Sequence, residues 1–282
     1  MGASWAPPLY PHLYTNLMEN ESFPIGTYMK NVWSKKPLVC QMTNYVTVND
    51  CANITICAGG APVMTDAIED VEDMLKISSA LVLNIGTLNS RTVKSMMLAG
   101  KTANKLGVPV IFDPVGAGAT AYRTQTAADI LREIKVSVIK GNAGEIATLC
   151  GLDGKVRGVD SDSEFGADAP MTLALRTGSI VAMTGKVDYV SDGNDTFKLE
   201  NGTANLDCVS GTGCMLSSVT GCYVGANGAK IQSVIAAVTA FNVAAELITK
   251  SEGPGTFKAR LFDSLYNLSY EDAESRMRVS RI

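Results

Sequence analysis

The chain has 282 residues, 46% of them apolar and 18% charged, and a net charge of −4. That length and apolar content supply a large buried core and exclude a disordered segment or a small disulfide-stapled domain. With an acidic balance and no basic stripe, no nucleic-acid partner is expected.

The residues 1–29 read as an irregular extension, rich in proline at its start, and 30–282 as one domain. Residues 38–42 then read as a strand and 48–58 as a helix. Residues 81–85 form a continuous apolar run, as in a strand buried on both faces. Ser90 can cap a helix that runs to Leu106 and stops at Gly107. A strand at 108–112, a helix at 124–134, a strand at 136–139 and a helix opened by Asn142 follow. Residues 180–183 are the next strand, and a hairpin at 187–199 turns through Gly193-Asn194. Helices are expected at 211–225, 229–249 and 257–268. The polar loop 151–169 is a surface excursion or a lid. Such alternation of strand and helix implies right-handed crossovers and a mostly parallel sheet covered on both faces.

The seven cysteines include no C-x-x-C pair, so reduced thiols in a cytoplasmic protein are expected rather than disulfides or zinc. The N-terminus lacks a basic stretch followed by an apolar run, so no secretory signal is expected. The late apolar run 209–224 is broken by glycines and hydroxyls, and no membrane span is expected. His12 is the single histidine and lies in the irregular extension, which leaves no histidine for a core base or metal site.

Ligands of an open parallel sheet bind beyond the carboxyl ends of its strands. Five loops here place polar or glycine residues at that edge: Thr43-Asn44, Gly86-Thr87, Asp113 through Gly118, Gly141 through Glu145, and Thr184-Gly185. The carboxylates of Asp113 and Glu145 suit Mg²⁺ shared with phosphate oxygens. Asp113 also fits an Asp-Pro turn, and Glu145 an acid favoured by the dipole of a helix start. The segment Ser210-Gly211-Thr212-Gly213-Cys214 opens directly into a helix. Its glycines let backbone N–H groups approach an anion such as a transferring phosphoryl group. Gly100-Lys101-Thr102 imitates the end of a phosphate-binding loop, but Ser95 stands where the first glycine is needed and the triplet lies in a helical pattern.

In content and order, Thr43-Asn44-Tyr45-Val46, Ala61-Pro62-Val63-Met64, Leu83-Asn84-Ile85-Gly86-Thr87, Asp113-Pro114-Val115-Gly116-Ala117-Gly118, Lys140-Gly141-Asn142-Ala143-Gly144-Glu145 and Gly211-Thr212-Gly213-Cys214 resemble the hydroxyethylthiazole kinase family. The resemblance covers about residues 30–270. It implies a three-layer αβα sandwich of the ribokinase-like type, with ATP and Mg²⁺ as cofactors and a thiazole alcohol as substrate. It also implies a homotrimer with pockets at subunit interfaces. Met64, Asn44 and Gly211 would meet the thiazole alcohol. Arg123, Thr184 and Asn142 would meet ATP, and Asp113 and Glu145 the metal. Gly211, Thr212, Gly213 and Cys214 would form the catalytic loop. Most ribokinase-like enzymes carry aspartate where Cys214 stands, which leaves open whether the thiol takes a proton or positions the hydroxyl. Kinases of a hydroxymethylpyrimidine, nucleotide-hydrate dehydratases of the same fold and a non-catalytic nucleotide-binding protein are the alternatives.

Overall fold

The computed structural model describes residues 23–151 and 166–282, so the loop 151–169 lies largely outside the described residues. Nine strands form one sheet: β1 (Leu38–Met42), β2 (Ala61–Met64), β3 (Ala80–Asn84), β4 (Val110–Asp113), β5 (Val138–Asn142), β6 (Ile180–Thr184), β7 (Asp188–Ser191), β8 (Thr196–Leu199) and β9 (Val279–Arg281). Their order is β2-β1-β3-β4-β5-β6-β7-β8-β9. The first six are parallel, and β7 to β9 add an antiparallel flank. The order reverses between β1 and β3, which opens a crevice at their carboxyl ends.

Alternate residues of each strand face opposite layers. Val39, Val82, Ile111 and Val138 point to a layer made by α1 (Ile25–Lys35), α2 (Val48–Cys57), α8 (Thr212–Asn227), α9 (Ile231–Glu246), α10 (Pro254–Tyr266) and α11 (Tyr270–Arg276). Cys40, Leu83, Phe112 and Ile139 point to α3 (Val71–Ile77), α4 (Ser90–Leu106), α5 (Ala121–Glu133), α6 (Ala143–Leu149) and α7 (Asp168–Thr177). The expected three layers and mostly parallel sheet are therefore present. Among the described residues no helix is long and apolar enough to cross a membrane.

Several local expectations are corrected. Residues 25–29, expected to be irregular, are the start of α1, whose Ile25, Met29 and Val32 are buried at helical spacing. The cap of α4 is Asn89, not Ser90: its extended backbone lets its side chain accept from the N–H groups of Arg91 and Thr92. Strand β2 went unread because it contains Pro62. It lies at the sheet edge, where a missing N–H is tolerated. Helices α3, α7 and α11 and strand β9 are short and carried no clear period. Helix α9 is buried on nearly all sides, because the sheet, α8 and α10 surround it.

Gly100 is a packing glycine in α4. A Cβ there would lie 2.8 Å from two carbons of Ile134 and nearer still to a third. Gly100→Ala is expected to cost about 1–3 kcal/mol through overpacking, read as a lower urea midpoint. Adding Ile134→Val should recover part of it.

Candidate active site

The polar residues that matter end strands otherwise made of apolar side chains. Asn84 continues the face of Val82, Asp113 that of Ile111 and Lys140 that of Val138, so all three face α8. Asn84 is in register with Asp113. The register Phe112↔Ile139, extended by one residue, places Lys140 opposite Asp113. Helix α8 lies across these strands, and its first turns supply Cys214 and Ser217.

The result is a buried polar cluster. Asp113 is 1% exposed and accepts through Oδ2 from Asn84 Nδ2 at 2.9 Å and Ser217 Oγ at 2.6 Å. Lys140, 4% exposed, lies 3.5 Å from the same oxygen and donates to the Gly213 carbonyl at 3.1 Å. Burial pulls the lysine pKa down, but the carboxylates of Asp113 and Glu145 more than offset it, and the net direction is up. Asn44 Nδ2 donates to Asn84 Oδ1 at 3.0 Å and to Cys214 Sγ at 3.2 Å, and Asn84 Nδ2 reaches the same sulfur at 3.3 Å. Burial, and then the Asp113 charge, push the Cys214 thiol above its usual pKa despite Lys140 and the Asn84 donor. The thiol is therefore neutral at pH 7.

Above this cluster lies the glycine loop. Gly211 is the N-cap of α8 with φ +89°, and the first helical bond runs from Met215 N–H to the Gly211 carbonyl. The N–H groups of Thr212, Gly213 and Cys214 precede that ladder and are placed for an anion. Thr212 Oγ1 donates to the Leu206 carbonyl and steadies the approach to the loop.

Glu145 and Asn142 form a capping box. Asn142 Oδ1 accepts from Glu145 N–H, and Glu145 Oε2 accepts from Asn142 N–H at 2.8 Å. Glu145 Oε1 also accepts from Gly116 N–H at 2.8 Å, which ties the loop after β4 to the start of α6. Burial, and then the Asp113 charge, push its pKa up. Arg123 braces two loops: its guanidinium donates to the carbonyls of Ile85, Gly86 and Val115. Thr184 closes β6 and donates weakly to the Gly141 carbonyl. Met64 ends β2, half buried at the sheet edge.

The strand ends thus run along one rim: Met64, Asn44, Asn84, Asp113, Lys140 with Asn142, and Thr184. The residues that the sequence singles out share that rim, but Arg123 and Glu145 are turned largely to backbone groups. Sequence reasoning gave no role to Lys140, Asn84 or Ser217. Strand parity was the available signal, because each of the first two sits two positions past an apolar residue of the same face.

Mg²⁺ can be tested against this donor set. Asp113 Oδ1 is buried without a hydrogen-bond partner, an acceptor left for a cation or a water. Among the described residues no group of three or more His, Cys, Asp or Glu could hold a metal. The set fits a cation held mainly by phosphates and water, as Mg²⁺ usually is.

Sheet order and the helix across the strand ends make this a ribokinase-like α/β protein. The pyridoxal kinase from Staphylococcus aureus determined in complex with ADP shares the fold, with a TM-score of 0.62 at 15% identity, covering 88% of this chain and 99% of that one. Sequence narrows the class. Residues 29–271 match the model of the hydroxyethylthiazole kinase family. A hydroxyethylthiazole kinase of Methanocella arvoryzae is 48% identical over 254 residues, 89% of this chain and 96% of that protein. The structure of the hydroxyethylthiazole kinase protein from Pyrococcus horikoshii OT3 matches with a TM-score of 0.86 at 38% identity, covering 92% and 98% of the two chains. The chain belongs to the hydroxyethylthiazole kinase family.

Proposed function

We propose that this chain transfers the γ-phosphoryl group of ATP to the primary alcohol of 4-methyl-5-(2-hydroxyethyl)thiazole, the step by which the thiazole enters thiamine synthesis. The observation that carries the reading is the Asp113–Lys140 pair set directly beneath the glycine-rich start of α8. The alcohol oxygen forms a bond to the γ-phosphorus while the bond to the β,γ-bridging oxygen breaks. ADP leaves with that electron pair, and the alcohol proton passes to a phosphate oxygen or water. The N–H groups of Thr212, Gly213 and Cys214 and the Lys140 ammonium face the charge that develops on the transferring group. Mg²⁺, when bound, neutralises the phosphates, and Asp113 with Glu145 beside it would hold its side of the site. Asn142 and Thr184 line the nucleotide end of the rim, with Arg123 bracing the loops between. Asn44 and Met64 line the alcohol end.

Tyr45, Val46 and Ile68 are 78%, 60% and 44% exposed near the edge strand β2. Three copies packed through this edge would cover them and close the thiazole pocket with a neighbouring subunit, as a homotrimer. The seven free thiols suit the cytoplasm.

The direct test is ADP release by purified protein, measured with a coupled assay in Mg²⁺ buffer. ADP should appear only when the thiazole alcohol is present. Release driven instead by a hydroxymethylpyrimidine, or none with either alcohol, would reject the reading.

Cys214, a neutral thiol gripped by Asn44 and Asn84, orients the alcohol rather than taking its proton. An aspartate there would accept both amide donors and supply a base beside the alcohol. Cys214→Asp is therefore expected to keep kcat or raise it by up to about tenfold, below the 10²–10⁴ of a fully effective general base. A folded but inactive variant would place the alcohol elsewhere.

A further inference from the structure

A second buried polar group lies at the nucleotide end of the rim, one strand beyond Thr184. Asp188 opens β7 and is 5% exposed. Its Oδ1 accepts from Gly185 N–H at 2.9 Å, which fixes the turn that follows Thr184. Its Oδ2 accepts from Asn242 Nδ2 at 2.7 Å. Asn242, on α9, is also 5% exposed and donates a second bond to the Asn201 carbonyl at 2.9 Å. One amide therefore ties together two stretches of chain that approach the site from different strands. The first is the turn after β6. The second leaves β8 through Asn201 and Gly202, passes through the short helix Ala204–Cys208 and enters the glycine loop, where Thr212 is tied back to Leu206.

We propose that Asp188 and Asn242 are positioning residues for the nucleotide: together they lock the Thr184–Gly185 turn and the approach to the glycine loop into one unit, and so set the affinity for ATP rather than for the alcohol. The inference rests on the reading of this rim as a kinase site. Its support is the number of backbone groups held by so few side chains, and the cost of the carboxylate. Burial pushes the pKa of Asp188 up to about 6, with the Gly185 N–H, the Asn242 amide and the Lys140 charge only partly opposing it. A buried acid in such a place is costly unless its bonds hold something in register. The pair is remote from the alcohol end of the rim at Asn44 and Met64, which lie on β1 and β2 at the other side of the sheet order.

Asp188→Asn leaves one acceptor where two donors converge, so either the turn or α9 is released. Asn242→Ala keeps the Asp188–Gly185 bond and cuts only the link between the two stretches. The test is to measure the KM for ATP and for the thiazole alcohol, with the Kd of the non-hydrolysable analogue AMP-PNP by calorimetry. Both variants should raise the ATP KM and the AMP-PNP Kd about tenfold, with the alcohol KM within about twofold of the parent. Arg281→Ala, which removes the Arg281–Asp195 pair on the same antiparallel flank, should change neither. Unchanged nucleotide affinity in either folded variant, or an equal rise in both KM values, overturns the proposal. If Asp188→Asn does not fold, the nucleotide affinity of Asn242→Ala decides by itself. A parent protein that binds AMP-PNP but phosphorylates no alcohol would sink the kinase reading alone, since nucleotide affinity still tests the role of the pair.

Discussion

Asp113→Asn should lower kcat by roughly a thousandfold and destabilise the protein by about 3–5 kcal/mol. Both effects come from the pair with Lys140, whose side chains are 1% and 4% exposed. The substitution leaves the lysine cation without its nearest counter-charge, and Glu145 is already engaged with backbone N–H groups. It also removes the carboxylate whose buried Oδ1 has no hydrogen-bond partner. The double variant Asp113→Asn/Lys140→Met separates the two effects. Replacing both members removes the buried charges together, so urea unfolding should show recovery of most of the lost stability. Activity should not recover, because the ammonium beneath the glycine loop is gone as well. A single variant that unfolds like the parent, or a double variant no more stable than the single, would show that the pair does not hold the site.

Gly211→Ala should reduce kcat/KM about a hundredfold with a stability cost of about 2–4 kcal/mol, the sum of a backbone and a steric contribution. The backbone at 211 has φ +89°, a region that L-residues enter with difficulty. An added Cβ would stand 3.1 Å from Thr47 Cβ and closer still to its methyl group. The loop would withdraw from α2, turning the N–H groups of residues 212–214 away from the transferring group. Thr47→Ser removes that methyl while keeping the hydroxyl that donates to Asn44. In that background most of the steric part of the loss should disappear and the backbone part remain. Steady-state kinetics and urea midpoints on the four proteins of this cycle measure both.

The alternation of strands and helices was legible because the buried strands are continuous apolar runs punctuated by glycine and polar loops. Strand β1 coincides with its expected span, and the hairpin of β7 and β8 turns where Gly193-Asn194 suggested. The loops of the rim were legible for the same reason, since chain order alone places them after successive strands. What was not legible is which way each side chain turns. Arg123 looks like an anion ligand in sequence, yet it directs its donors to three carbonyls. Glu145 looks like a metal ligand, and its two oxygens also hold N–H groups that chain order does not reveal. Lys140 reads as the end of an apolar strand, and only the pairing of β4 with β5 brings it to Asp113. Asp188 and Asn242, 54 positions apart, meet through the packing of α9 on the sheet. Helix α1 carried a visible spacing at Ile25, Met29 and Val32, but the prolines before it masked the signal.

The helix that covers the polar strand ends is made late. Ser217 reaches Asp113 across 104 residues of chain. At about 5–20 residues per second, a ribosome needs roughly 5–20 s to deliver one after the other. Until then Asp113 lacks the Ser217 hydroxyl and Lys140 the Gly213 carbonyl that hold them in the finished structure. The site therefore acquires its shape only when the final third of the chain has emerged, and a nascent chain stalled before residue 212 would present a sheet with no glycine loop to complete it.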